Sequence, residues 1–298
     1  MYNYSHLKPI KDFLTITFVF VFLSIQAQKI KVETQAQLPS IIKETSGLVA
    51  GANATVWTHN DSGGEAKLYK INSKAELLRT IRISHVENVD WEDMANDYLG
   101  HVYIADIGNN ENRRTDLKIL KIPHPDSLQT DSIIPEIIYF KYENQKYFPP
   151  PPSQLNFDAE AIIAYSDSLY IFTKNRTKPY SKYTYIYALK NESGQQIAIL
   201  KDSLYLPHTH KLSSWVTGAT RCPQSDLVIL ISHKKAWLIK NFRTSNHLQI
   251  IPSKISGIYS QKEAIAIDLN NTIWISNEKY KILKAKLKKG QLLSKDCH

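Results

Sequence analysis

One short pattern recurs five times along the chain, and it restricts the possible folds more than any other feature. It consists of an acidic or polar residue, any residue, then Ser, Thr or Glu, a small or acidic residue, and an apolar one. The copies are Glu44-Thr45-Ser46-Gly47-Leu48, Asp90-Trp91-Glu92-Asp93-Met94, Asp158-Ala159-Glu160-Ala161-Ile162, Trp215-Val216-Thr217-Gly218-Ala219 and Gln261-Lys262-Glu263-Ala264-Ile265. The third positions are spaced by 46, 68, 57 and 46 residues. In every copy a polar turn and a second strand-like run follow, such as Val102-Tyr103-Ile104 or Ile273-Trp274-Ile275. A strand, a short turn and a strand make a hairpin. A third alternating run comes next in all copies and a fourth in four of them, for example residues 77–83 and 136–142. Four short strands per repeat at this period are the signature of a β-propeller blade.

The fold class expected is therefore all-β, a single propeller of four-stranded blades. The last copy runs out of chain before its fourth strand, whereas an orphan strand, residues 29–33, precedes the first. Pairing the two closes the ring. The 35 residues after Glu263 and the 19 from Gln28 to Ser46 then form one interval of 54. Five blades fit best, and six of about 45 residues also fill the length. Residues 149–152 are four prolines, which cannot join a ladder, so they read as a surface loop and not a domain boundary. Alternating lysines at 284, 286, 288 and 289 read as a strand whose lysines face solvent and resist edge pairing, or as a basic patch for an anionic surface.

A formal charge of +9 would suggest a nucleic-acid partner for a cytosolic chain. The N-terminus argues otherwise. Lys8 and Lys11 precede an apolar run of thirteen residues, 13–25, which is short for a membrane span, and Ala27 offers a small residue for cleavage. Residues 1–27 are expected to be a signal peptide and 28–298 the propeller domain, secreted or periplasmic, monomeric, with no nucleic-acid partner and no membrane span. Without residues 1–27 the net charge is +8. An oxidising compartment permits a bridge between Cys222 and Cys297, and two separate thiols fit equally. His208 and His210 lack a third metal ligand and read as surface loop.

A propeller lines its central channel with the first strand of each blade. The third repeat positions then converge as Ser46, Glu92, Glu160, Thr217 and Glu263. The ends of the second strands add Asn60, Asp106, Thr173, Ser232 and Asn277. All ten bear oxygen. Carboxylates crowded near an axis repel unless a cation screens them, and hard oxygen donors suit Ca²⁺. Asp90, Glu92, Asp158, Glu160 and Glu263 are the candidate metal ligands, with Glu92 and Glu160 as candidate bases. The alternative is that short polar residues cap turns. Asn60, Asp61, Asp106, Asn109, Asn110, Arg113, Lys174 and Arg176, on polar loops between strands, are the candidate ligand contacts, the cationic ones for an anion such as phosphate.

The stretches Glu44-Thr45-Ser46-Gly47-Leu48, His59-Asn60-Asp61-Ser62-Gly63-Gly64, Asp90-Trp91-Glu92-Asp93-Met94-Ala95 and Asp106-Ile107-Gly108-Asn109-Asn110-Glu111-Asn112-Arg113 resemble exported bacterial β-propellers of the phytase-like, NHL-like or SdiA-regulated kind. The likeness is most specific over residues 44–122. It implies export and a propeller, and no settled activity. The fourth copy departs from it, with Trp215 and Thr217 in place of carboxylates. Two functions follow as expectations. One is binding of a small molecule, glycan or protein at the loop face, with calcium on the axis. The other is metal-dependent hydrolysis of a phosphoester or lactone.

Overall fold

A computed structural model describes residues 28–206, 211–223, 225–244, 248–256, 261–277 and 281–286. The expected leader, Cys297, Lys288, Lys289, His208 and His210 lie outside the described residues. Two short strands, β1 (Gln28–Lys31) and β2 (Glu33–Gln37), lead into antiparallel meanders that follow the repeat. The first copy forms β3 (Thr45–Gly51), β4 (Thr55–Asn60), β5 (Lys67–Asn72) and β6 (Leu77–Ile83). The second forms β7 (Trp91–Asn96), β8 (His101–Asp106) and β9 (Lys118–Pro123), then, after the two-residue β10 (Ser132–Ile133), β11 (Glu136–Tyr142). The third is β12 (Ala159–Ala164), β13 (Ser168–Thr173), β14 (Tyr183–Lys190) and β15 (Gly194–Tyr205). The fourth is β16 (Val216–Arg221), β17 (Val228–Ser232), β18 (Lys235–Lys240) and β19 (Gln249–Ser256). The last contributes β20 (Lys262–Ile267), β21 (Thr272–Asn277) and β22 (Lys281–Lys286).

The hairpins close where side chains can replace ladder partners. Asp97 accepts the backbone N–H groups of Leu99 and His101, each at 2.9 Å, and Gly100 takes a φ of +81° that completes the turn. Asp268 does the same work for Asn270 and Thr272 between β20 and β21.

Apolar residues alternate into the spaces between meanders. Trp57, Leu68, Trp91 and Leu120 join the first to the second, and Ile138, Phe140, Ile162 and Tyr187 join the second to the third. Phe172, Ile186, Val228 and Leu230 join the third to the fourth; Ile229, Ile231, Ile273 and Ile275 join the fourth to the last. Leu48, Val56, Tyr69, Trp274 and Ile282 join the last to the first. Each meander thus packs on two others. The inner strands follow the same circle, β3 beside β7, then β12, β16, β20 and β3 again. Truncating a buried ring such as Trp57 to Ala would cost about 3–5 kcal/mol.

Every inner strand carries a register shift at one place. Between Thr45 and Leu48, Trp91 and Asp93, Ala159 and Ala161, Val216 and Gly218, and Lys262 and Ile265, the inner strand has one residue more than its partner. Ser46, Glu92, Glu160, Thr217 and Glu263 all fall inside these bulges. A bulge breaks the ladder locally and re-aims a side chain. The repeated motif is thus the sequence of a bulged strand.

Two expectations need correction. Residues 29–33 do not form one strand: β1 runs parallel to β19 and β2 antiparallel to β22. The chain bends at Val32, because Ile30 and Val32 are both buried and the Val32 N–H is taken by Ser256 O at 2.9 Å. The lysines of β22 do not protect an edge, since β22 lies between β21 and β2. Lys284 instead sets its ammonium 4.6 Å from the centre of the Trp274 ring. Outer edges are covered by parallel partners, β10 on β6, β1 on β19, and β11 on β15.

Candidate functional site

The bulges face one mouth of the channel. There a cavity of about 490 Å³ is lined by Ser46, Glu92, Glu160, Thr217 and Glu263, together with Lys43, Glu44, Asp61, Asp90, Asn110 and Lys174. The hydroxyls in this ring stitch neighbours together. Ser46 Oγ donates to Glu92 O at 2.7 Å, and Thr217 Oγ1 donates to Lys262 O at 2.8 Å. One residue further along, Gly47, Ala161, Gly218 and Ala264 are small while the fifth position is Asp93. Its carboxylate accepts N–H groups from Met94 (2.8 Å), Ile162 (3.0 Å) and Ala219 (3.2 Å), so one side chain ties β7, β12 and β16 together. Burial raises the Asp93 pKa well above the usual carboxylate range, against the pull of those three donors.

Asp61, Asp90 and Glu92 each present a carboxylate oxygen, and these oxygens lie within 4.8 Å of one another. Their meeting has identifiable causes. Asn88 donates through Nδ2 to Asn60 O (2.9 Å) and Asp61 O (2.8 Å) while its Oδ1 accepts Trp91 N–H (3.1 Å). That clamp fastens the loop after β4 to the start of β7. Behind it, His59 is fully buried edge-on to Trp91, with ring centres 5.4 Å apart. Burial lowers its pKa to about 4, so it is a neutral filler at pH 7. Gly108 closes the other side: a Cβ there would sit 2.3 Å from oxygens of both Asp90 and Glu92. A side chain there would force the two carboxylates to move.

Glu92 is 7 % exposed, and its carboxylate makes no hydrogen bond or ion pair with any described residue. Its pKa is raised well above the normal range by burial first, then by Glu160, Asp61, Asp90 and Asp158, all negative. Burial, with Asp61 and Asp158, lifts Asp90 to about 6 against the opposing charge of Arg114. Asp61 is raised too, chiefly by burial. Glu160 occupies the same bulge position in the next meander but faces cations: Lys174 pairs with it, and Arg176 lies 3.6 Å away. Burial still lifts Glu160 to about 7, with Lys174 and Arg176 pulling downward.

The structure separates the residues proposed from sequence. Asp61, Asn110 and Lys174 line the cavity with Asp90, Glu92, Glu160 and Glu263. Asp158 does not line the cavity with them, being held by Arg176 Nε at 2.6 Å and the Asn109 N–H at 2.8 Å. Asp106 is buried between Arg114 and Lys118, each at 2.8 Å, and accepts Asp90 N–H. Asn109 binds Phe157 O and accepts Arg114 N–H, while Asn60 donates to Ile41 O. Arg113 is exposed and paired with Glu111 at 2.7 Å. The other second-strand ends also cap: Thr173 accepts Tyr185 N–H, Ser232 Oγ donates to Ser213 O, and Asn277 accepts Lys281 N–H. These side chains hold loop backbone.

Sequence reasoning missed Asn88 and the role of Trp215. Above the cavity wall the Trp215 ring carries Lys211 (4.8 Å), Arg176 (4.9 Å) and Lys174 (5.4 Å), and its Nε1 donates to Asn175 O at 2.5 Å. The proline loop supports this wall, since Pro152 O accepts Lys178 N–H and Leu155 O accepts Arg176 N–H, both at 2.9 Å. Trp215 was legible only as a departure from the repeat.

The chain matches no family profile and no curated protein. Solved structures are similar to it. A PQQ-bound aldose sugar dehydrogenase from Streptomyces coelicolor superposes with a TM-score of 0.51 at 11 % identity, covering 86 % of this chain and 98 % of that one. The fold is a β-propeller. A virginiamycin B lyase from Staphylococcus aureus gives a TM-score of 0.40 at 14 % identity over 82 % of this chain, which spans just under two thirds (66 %) of that one. A nidogen–laminin complex gives 0.44 at 13 % identity, covering 84 % and 82 %. At such identities the likeness is one of fold, and fold alone does not assign an activity.

Proposed function

We propose that this chain is an exported five-bladed propeller, its ring closed by β2, that binds a ligand at the bulge-lined mouth through a divalent cation. The observation that carries this reading is the Glu92 carboxylate, buried without a compensating partner and grouped with Asp61 and Asp90. A buried carboxylate costs several kcal/mol unless it is protonated or neutralised. Three hard oxygens suit Ca²⁺, whose remaining positions would be filled by water or ligand. The wall of Lys174, Arg176 and Lys211 around Trp215 complements an anionic ligand beside the cation. Five blades rest on the circle of inner strands, and closure rests on the β2–β22 pairing. Export rests on the character of residues 1–27.

Isothermal titration with CaCl₂ at pH 7.5 tests the reading. One saturable site is expected, lost in Asp90→Asn and Glu92→Gln and unchanged in Arg113→Ala. No binding heat, or binding that survives Glu92→Gln, would refute it. Hydrolysis of a phosphoester or lactone is the second reading, favoured by the proton affinity of Glu160 near neutrality, which suits a base beside a cation. Calcium-dependent turnover of p-nitrophenyl phosphate or a γ-lactone, abolished by Glu160→Gln, would establish it. Calcium binding without turnover would leave the binding function.

A further inference from the structure

The opposite mouth of the channel has a different chemistry. The far ends of the inner strands line a second cavity of about 570 Å³. Its walls are largely apolar, with Leu48, Met94, Ile162, Ala219 and Ile267 among them. At the rim stands Arg221, which shares its strand position with Ala50, Asn96, Ala164 and Ile267. Arg221 is 8 % exposed. Its guanidinium is sandwiched between the rings of Tyr98, 3.8 Å away, and Tyr165, 4.7 Å away. Nε donates to Ala164 O at 3.1 Å, and the buried Nη1 has no partner among the described residues.

The carboxylates of this cavity are otherwise engaged. Asp97 accepts from His101, Tyr103 and its own turn. Asp126 is held by Lys70, the Trp57 indole and Ala52 N–H, and Asp268 by its turn. None of them forms an ion pair with Arg221. A guanidinium stays charged at any physiological pH and is costly to bury unpaired. Tyr165 cannot swing away, because its hydroxyl donates to Asp226 at 2.7 Å and its ring packs on Phe242. A planar cation is thus fixed between two rings in the wall of an apolar chamber, with no ion-pair partner among the described residues.

We propose that this second mouth binds a small organic carboxylate with an apolar body. The carboxylate would accept from the guanidinium of Arg221 where that group lines the cavity, while the apolar part fills the chamber. Fork-to-carboxylate geometry gives such a contact direction as well as strength. The site is separate from the cation site and does not depend on it.

The test uses the full chain in EDTA, labelled with ¹⁵N-arginine, and titrated with phenylacetate and, separately, with uncharged phenylacetamide. One guanidinium resonance is expected to shift saturably with phenylacetate, with affinity about tenfold above that for the amide. Arg221→Gln should erase the difference. Should that variant not fold, Tyr98→Ala removes an exposed ring of the sandwich and should weaken phenylacetate several-fold with the fold intact. The proposal is overturned if no guanidinium signal responds, if acid and amide bind alike, or if both substitutions leave phenylacetate affinity unchanged. Because calcium is absent throughout, failure here is distinguishable from failure of the cation reading.

Discussion

Glu92 and Glu160 stand at the same place in successive repeats, each in a bulge, each two residues after an Asp, each almost fully buried. Their surroundings are opposite. The residues just past the second strand decide this: Ile107 and Gly108 in one repeat, Lys174 and Arg176 in the next. Gly108 lets two carboxylates crowd against bare backbone, whereas Lys174 and Arg176 bring cations to Glu160 and Asp158. Asp61 sharpens the contrast, since the first repeat places a third carboxylate where the third places Lys174. A motif fixes where a carboxylate points; the loop opposite fixes whether it arrives compensated.

Removing a compensating charge should have the largest effect. Lys174→Ala leaves Glu160 buried beside Asp158 and should cost about 3–5 kcal/mol in urea unfolding. A loss below about 1 kcal/mol would mean that the pair is not what holds Glu160. Gly108→Ala comes next. Its methyl can enter only if the Asp90 and Glu92 carboxylates move apart, so a loss of about 1–3 kcal/mol is expected, with calcium affinity lost as well. Retained affinity would show that the carboxylates can part without harm.

Glu92→Gln should act in the other direction. Without calcium it removes an uncompensated buried charge, and stability at pH 7.5 should rise by about 1–2 kcal/mol; with calcium the advantage should vanish. Destabilisation in both buffers would assign Glu92 a purely structural role. The smallest change is expected from Arg113→Ala, within about 0.5 kcal/mol, because its partner Glu111 is equally exposed.

The pH dependence follows from the same contrast. Asp90 and Glu160 have folded pKa values of about 6 and about 7, above their unfolded values. Their contribution is therefore complete below pH 4 and is lost as pH rises through 6 and 7. Asp126 runs oppositely. Its pKa is lowered despite its own burial, because Lys70, Ala52 and Trp57 donate to it, so its contribution is lost on acidification. In EDTA the melting temperature should fall between pH 4.5 and 7.5, and millimolar CaCl₂ should restore about 5 °C at the upper end. A calcium-free curve that rises over this range would contradict the raised values.

The repeat was legible because a bulged strand needs a recurring residue pattern, which survives in all copies even where Trp215 replaces the acid. Strand positions followed from alternation, as with Leu77–Ile83 and Glu136–Tyr142. Pairing partners were less readable. Residues 29–33 show one alternating run, and nothing local signals that Val32 bends the chain from one sheet to the next. In the site, the convergence of the third repeat positions could be read, but the fates of Asp106, Asn109 and Asp158 could not. Whether an Asp faces a cavity or an arginine depends on residues such as Arg114 and Arg176, whose approach is set by loop geometry. Asn88, a single Asn in a turn, carries no pattern until its clamp on Asp61 is seen.

The most direct measurement is an anomalous difference map from crystals soaked in MnCl₂, a stand-in for calcium with a usable signal. A single peak is expected within coordinating distance of Asp61, Asp90 and Glu92, absent from crystals of Glu92→Gln. A map without density there, or with its peak beside Glu160 and Lys174, would contradict the claim that Glu92, grouped with Asp61 and Asp90, is what this channel mouth is built to present.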